Sequence, residues 1–171
     1  LDGLPRERVG HEMRKLLAAP DPSISVAAMR ATGALARVLP GADDTALAPL
    51  VHLENRLAPD PIRRLAVLGG QDVAERLKLS KAEARRLEAL REAIGMAAGL
   101  AEMAYRHDAA FAQDVAHLRA AVMGQDLPRG WADAVALGAG AVFPVKAADL
   151  MPALSGPALG ARLTELEGRW I

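Results

Sequence analysis

The chain has 171 residues, and its 21 lysines and arginines are balanced by 21 aspartates and glutamates. This neutrality excludes the strong positive field of a dedicated nucleic-acid-binding domain, so any RNA contact must come from a local patch. The absence of cysteine excludes disulfides and cysteine-based metal sites.

Much of the hydrophobic content is Ala and Leu, which favour helices. Proline and glycine divide the chain into segments of helical length, and no stretch alternates as a β-strand would. We therefore predict an all-α fold, an irregular multi-helix array of about ten to twelve short helices. In chain order, the predicted helices cover residues 5–18, 22–32, 35–39, the stretch after residue 44 up to residue 59, and residues 61–68, 71–77, 81–97, 100–106, 108–123, 128–137, 148–152 and 157–170.

Several helix starts have specific signals. Asp60 precedes Pro61, which suits a first helical turn, and Asp108 stands where the next long helix needs a cap. The segment from Ser80 to Glu83 fits a capping box, in which each side chain bonds the other residue's backbone N–H. Pro128 is predicted to open a further helix.

No apolar stretch is long enough for a membrane span. The longest, residues 96–105 and 134–145, are short and interrupted by glycine, charge or proline. The start of the chain has no basic-then-apolar signal-peptide pattern. We expect a soluble cytoplasmic protein without membrane contact.

Residues 4–17 carry the first of several family motifs. The order is a loop, then Glu7-Arg8-Val9, then Glu12 and the pair Leu16-Leu17. It is similar to the neck motif of bacterial class II tRNA nucleotidyltransferases, namely the CCA-adding enzymes and their poly(A) polymerase relatives. In that family, a loop precedes Glu-Arg-Ile and a helix continues through Glu to leucines.

Later segments extend the resemblance along the chain. Residues 29–40 follow the family's Met, Gly, Leu, Leu-Pro succession, residues 77–80 resemble its Leu-x-Leu-Ser element, and residues 143–171 look like its closing segment. One departure is residues 146–150, where the family has a glycine nearer the Asp-Leu pair. The resemblance implies the end of a neck over residues 1–41, followed by a helical body and tail over residues 42–171.

The family's catalytic residues are missing. Nucleotidyl transfer uses carboxylates that converge on two divalent cations, and in this family they follow a Gly-Ser pair as Asp-x-Asp. The chain has no such string, nor the family's Arg-Arg-Asp or Glu-Asp-x-x-Arg, and it begins at Leu1. We therefore expect a part of a larger protein that has no catalytic residue, metal site or cofactor of its own. The parent enzyme would use magnesium with CTP and ATP.

The resemblance implies tRNA as the partner, with its acceptor and TΨC arms held for an N-terminal catalytic head of the same polypeptide. Whether the parent adds CCA or poly(A) stays open. The candidates for RNA-backbone contacts are exposed helical cations: Lys81, Arg85, Arg86, Arg162 and Arg169. For any one of them, a solvated helix face is the competing interpretation, and Arg162 and Arg169 are also spaced to pair with Glu165.

Arg8 and Glu12 lie one helical turn apart. The resemblance places them in a neck motif that supports the nucleotide-selecting helices from behind. The alternative is an ordinary ion pair on a solvent-exposed helix face, which would stabilise the helix by about 0.3 kcal/mol.

Two other classes of function remain open. The first is a helical module for protein interaction or dimerisation without RNA affinity, and a homodimer is possible under either reading. The second is a metal phosphohydrolase assembled from His107, Asp108, His52 and Asp149, although Asp108 is better explained as a cap. The five aromatic residues are predicted to fill the core instead of stacking on bases: Tyr105, Phe111, Trp131, Phe143 and Trp170.

Overall fold

A computed structural model describes residues 5–55, 57–151 and 153–171. Within these residues the protein is an array of twelve α-helices without a β-strand, which confirms the predicted fold class. The helices are α1 (Arg6–Leu17), α2 (Ser23–Ala31), α3 (Ala34–Val38), α4 (Leu47–Glu54), α5 (Pro61–Leu68), α6 (Val73–Arg76), α7 (Lys81–Gly95), α8 (Leu100–Arg106), α9 (Ala109–Met123), α10 (Trp131–Ala139), α11 (Ala147–Leu150) and α12 (Gly156–Trp170).

The predicted caps are confirmed. Asp60 accepts hydrogen bonds from the N–H groups of Ile62 and Arg63 at 2.8 and 3.0 Å, with Pro61 in the first turn of α5. Ser80 and Glu83 form both halves of the capping box. These caps satisfy backbone donors that the first helical turn cannot satisfy itself.

Several predicted boundaries are wrong, among them the end of α4, which lies at Glu54 and not at Pro59 because Asn55 is not helical. Pro128 does not open a helix, because it lies in a turn that ends at Gly130, whose φ is 74°, and α10 begins only at Trp131. The helix predicted from residue 71 starts two residues later, since Asp72 has a left-handed φ of 52°. Helix α7 ends at Gly95, because Met96 is extended.

One leucine-rich core joins most of the helices. Helix α9 lies at its centre and packs against α4, α5, α7, α8 and α10. Leu17, Leu35 and Leu39 from the first 41 residues belong to the same buried cluster as Leu65 and Leu68. The division at residues 41 and 42 therefore stays a prediction, with a core that continues across it.

Helix α12 lies outside this core. None of its residues is buried, and it packs on α11 and, through Trp170, on the Tyr105 ring of α8 at a centroid distance of 5.4 Å. The Tyr105 hydroxyl also donates a hydrogen bond to Glu167, which raises the pKa of that hydroxyl. The end of the chain is therefore held by an aromatic and polar contact.

Candidate functional site

A buried ion network connects α4, α5 and α9. Arg63 donates to Glu54 at 2.7 Å and to Asp114 at 2.9 Å, and all three side chains are at least nine-tenths buried. Burial lowers the pKa of Arg63, but its hydrogen bonds to Asp114 and Glu54 outweigh that effect and leave the pKa raised. Each buried charge is thus paired, as the low dielectric of a protein interior requires.

Arg64 extends the network to the end of α1. Its Nη1 donates to the carbonyl oxygens of Leu17 and Ala19 at 2.7 and 2.5 Å, and Nη2 donates to that of Pro20 at 3.1 Å. On its other side, Arg64 Nη2 lies 2.7 Å from Glu54 Oε2. One fully buried guanidinium therefore has two roles: it donates to carbonyls at the C-terminus of α1 and pairs with Glu54 at the C-terminus of α4.

Two other arginines satisfy helix ends in the same way. Arg91 donates to the carbonyls of Leu65 within α5 and of Gly69 and Gly70 just after it. Arg119 donates to those of Ala93 near the end of α7 and of Met96 and Ala98 after it. Burial lowers the pKa of both guanidinium groups. Most of their donors are engaged in structural contacts, and Arg91 Nε is buried without a partner, which makes these cations poor candidates for RNA binding.

Of the predicted RNA-binding patch on α7, Lys81 and Arg85 are exposed, as expected. Arg86 differs, because its side chain is 39% exposed and its Nη2 lies 2.7 Å from Asp60 and 2.6 Å from Asp114. Asp114 is thus shared between the buried Arg63 and the partly exposed Arg86. The structure brings Lys81 and Arg85 together on one exposed face and assigns Arg86 a structural role beside them.

On α12, Arg162 pairs with Glu165 at 2.7 Å, so the predicted surface pair forms. Arg169 is exposed, with no acidic side chain within 4 Å among the described residues. Helix α12 packs on α11, whereas α7 packs on α5 and α9. The two predicted sets of cations therefore lie on helices with different packing partners.

Arg8 and Glu12 are both exposed, and within the described part of the chain they form no ion pair with each other. They lie instead at the edge of a groove of about 360 Å³ between α1, α2 and α3. Its lining is otherwise apolar, with Val9, Met13, Leu16, Met29 and Val38. The interpretation as a solvent-exposed ion pair is not supported, and the supporting role in the neck stays a prediction.

Two of the side chains considered for a metal phosphohydrolase, His107 and Asp108, make other contacts. His107 stacks on Phe111 at a centroid distance of 4.2 Å, and Asp108 accepts the N–H of Phe111 at 2.7 Å as the cap of α9. Across the described residues, no group of three or more acidic or histidine side chains is placed to hold a metal ion. Nor is any described helix both long and apolar enough to cross a bilayer.

The aromatic residues are less buried than predicted. Phe111 and Trp131 pack on the core but are only partly buried. Tyr105, Phe143 and Trp170 form a separate edge-to-face cluster at the surface, with Trp170 41% exposed. The core is filled by leucine, valine and alanine instead, since the aromatic residues are too few and lie near helix ends.

The described residues define an all-α module with two distinct surfaces, an apolar groove on α1–α3 and exposed cations on α7. Residues 1–45 match the family model described as "Probable RNA and SrmB-binding site of polymerase A". This match supports a poly(A) polymerase-family RNA-binding region in this part of the chain. No curated protein and no solved structure matches the chain significantly.

Asp60→Asn tests the pairing of α5 with Arg86. Burial raises the pKa of Asp60, but hydrogen bonds from Arg86 and from the N–H of Arg63 outweigh it and hold that pKa below its usual range. Asparagine caps a helix about as well but lacks the charge. At neutral pH we expect the variant to lose about 1 kcal/mol of unfolding free energy.

A depressed carboxyl pKa contributes stability above the unfolded value of about 3.9 and loses it as the pH falls through the folded value. The difference between wild type and Asp60→Asn should therefore shrink in acid. Urea unfolding at a series of pH values measures it. A difference that stays constant from neutral pH to well below the unfolded pKa would show that the Asp60 charge has no stabilising role.

Proposed function

We propose that this chain is a tRNA-binding part of a nucleotidyltransferase of the CCA-adding or poly(A) polymerase kind. In this proposal it holds the acceptor and TΨC arms while a catalytic head outside the chain adds nucleotides to the 3′ end. The observation that carries the proposal is the match of residues 1–45 to the polymerase A RNA-binding family. Magnesium, CTP and ATP belong to the head in this scheme, and the chain alone adds no nucleotide.

The exposed cations suit a partner that is recognised by shape. Lys81 and Arg85 stand one helical turn apart on α7, and neither has an acidic partner within 4 Å among the described residues. Cations on a rigid helix hold phosphates without reading sequence, which is how a protein can hold the stem of every tRNA. The net neutrality of the chain is compatible with this, because buried acidic side chains neutralise Arg63 and Arg64 internally.

The apolar groove suits a protein surface better than RNA. Its lining comes from residues 8–38, all of which lie in the matched segment, and the edge carries Arg8 and Glu12. We propose that the groove receives the helices of the catalytic head, with Arg8 and Glu12 as the neck-supporting pair. A separate protein partner is the alternative, since the family description names SrmB beside RNA. In that case the chain is a protein-interaction module.

Replacing Lys81 and Arg85 together with alanine tests the RNA-binding face. We expect weaker binding to a tRNA acceptor minihelix, and a salt dependence whose slope falls by up to about 2, because each lost phosphate contact removes about one unit. Arg86 is left in place because it pairs with Asp60 and Asp114. Electrophoretic mobility or fluorescence anisotropy over a salt series measures both quantities.

The matched control replaces Arg129 with alanine, since Arg129 is also exposed but lies in the turn before α10. It should leave affinity and slope unchanged. If the double variant also kept the wild-type affinity and slope, α7 would not be the RNA-binding face.

A further inference from the structure

A pocket between α7 and α9 combines cations with an exposed ring stack. It has a volume of about 520 Å³, and its lining includes Arg85, Arg86, His107 and Phe111. The pocket lies outside residues 1–45, so the family match says nothing about it.

The ring stack is fixed by the turn between α8 and α9. His107 ends α8 and Asp108 caps α9, so the two helix ends set the position of the imidazole. One face of that ring lies on Phe111, at 4.2 Å between centroids and 24° between planes. No other described aromatic ring stacks on His107, and the residue is exposed.

The guanidinium of Arg86 is held in place with one edge free. Both of its ion pairs, to Asp60 and Asp114, use Nη2. Nη1 and Nε have no acceptor among the described residues, and they remain in reach of solvent because the side chain is 39% exposed. Arg85 is exposed beside it, with only Nε engaged, on the carbonyl of Lys81.

The acidic residues of the pocket are already engaged. Asp114 accepts from both Arg63 and Arg86, at 2.9 and 2.6 Å. Asp108 accepts the N–H of Phe111 at the start of α9. The unengaged donors are therefore those of arginine, and the unengaged apolar face is that of an aromatic ring. Phosphate and a nucleobase are the complementary groups.

We propose that this pocket binds one unpaired nucleotide of an RNA, with its base stacked on His107 and its phosphate on Arg85 and Arg86. The inference rests on the proposed RNA-binding function and adds a subsite to it. Every base can stack on an aromatic ring, so the subsite recognises an unpaired nucleotide whatever its sequence. It gives the chain a means of distinguishing an RNA stem with an unpaired extension from a blunt one.

The test compares two RNAs, an acceptor minihelix with a short single-stranded 3′ extension and the same stem with a blunt end. Wild type should bind the extended RNA more tightly, and His107→Ala should reduce that advantage by about tenfold. His107→Phe should restore most of it, because a phenyl ring also stacks on a base. If the histidine acted through a hydrogen bond instead, phenylalanine would not restore the advantage. The matched control is His52→Ala, since His52 is another exposed histidine, on α4, and its loss should leave the advantage intact.

Crosslinking gives an independent readout. Irradiation of wild type with an extension that carries 4-thiouridine should label the tryptic peptide of residues 107–119, which contains His107 and Phe111. If wild type binds both RNAs equally, or His107→Ala keeps the full advantage, the subsite is wrong while stem binding stands. If wild type binds neither RNA, the proposed function fails and the subsite with it.

Discussion

Arg64→Met is expected to lower the free energy of unfolding by about 3–5 kcal/mol, the range for removing one partner of a buried ion pair. Methionine approximates the length of the arginine stem but has no donors. The change removes the hydrogen bonds to Leu17, Ala19 and Pro20 and leaves Glu54 with Arg63 alone. Chemical denaturation of the purified variant measures the loss.

Arg37→Met is the matched control, since Arg37 is exposed on α3 and has no acidic side chain within 4 Å among the described residues. Its effect should stay within about 0.5 kcal/mol. Arg64→Lys should also be destabilised, because one ammonium group cannot reach the carbonyls and the carboxylate together. If Arg64→Met lost no more unfolding free energy than Arg37→Met, the buried network would not hold α1 to the rest of the fold.

Gly10→Ala is expected to destabilise the protein by about 2 kcal/mol or more through overpacking. A Cβ atom at this position would lie 1.9 Å from the carbonyl oxygen of Leu77, and that neighbour is backbone that cannot rotate away. Helix α1 must therefore separate from the turn after α6, which would also break the bond from Arg14 to Leu77 at 3.1 Å. Thermal or urea unfolding gives the size of the effect.

Gly168→Ala controls for helix propensity. Gly168 lies within α12, and a methyl group added there would meet no atom within 4 Å beyond its chain neighbours and the backbone of its own helix among the described residues, so alanine should stabilise the helix by up to about 1 kcal/mol. Changes of opposite sign in the unfolding free energy of the two glycine variants would establish that α1 closely approaches the turn at Leu77. A neutral or stabilising Gly10→Ala would instead mean that α1 does not pack on the turn at Leu77 in solution.

Local chemistry made much of the fold predictable. The caps at Asp60, Ser80 and Asp108 depend on residues no more than three positions apart, so the sequence shows them directly. The predicted helix boundaries were wrong where the backbone conformation of a single residue did not follow the helix-forming sequence pattern. At Asp72 and Gly130, for example, a left-handed residue delays the helix. Such conformations depend on the packing of the flanking helices, which the sequence pattern does not reveal.

The candidate site was predictable only in part. The capping box fixes the register of α7, and this made the exposure of Lys81 and Arg85 predictable. The pairing of Arg86 was missed because its partners, Asp60 and Asp114, are distant in sequence. One signal was present: Asp114 precedes Leu118 by one helical turn, so a carboxylate falls on a buried face and requires a cation.

The most direct test of the proposed function is the affinity of the wild-type chain for a tRNA acceptor minihelix, compared with an unrelated RNA duplex of equal length over a salt series. We expect tighter binding of the minihelix, because its loop and unpaired 3′ end add contacts that a plain duplex lacks, and an affinity that falls steeply as salt rises. Equal binding of both duplexes, or concentration-dependent dimerisation without any RNA affinity, would contradict it and favour a protein-interaction module.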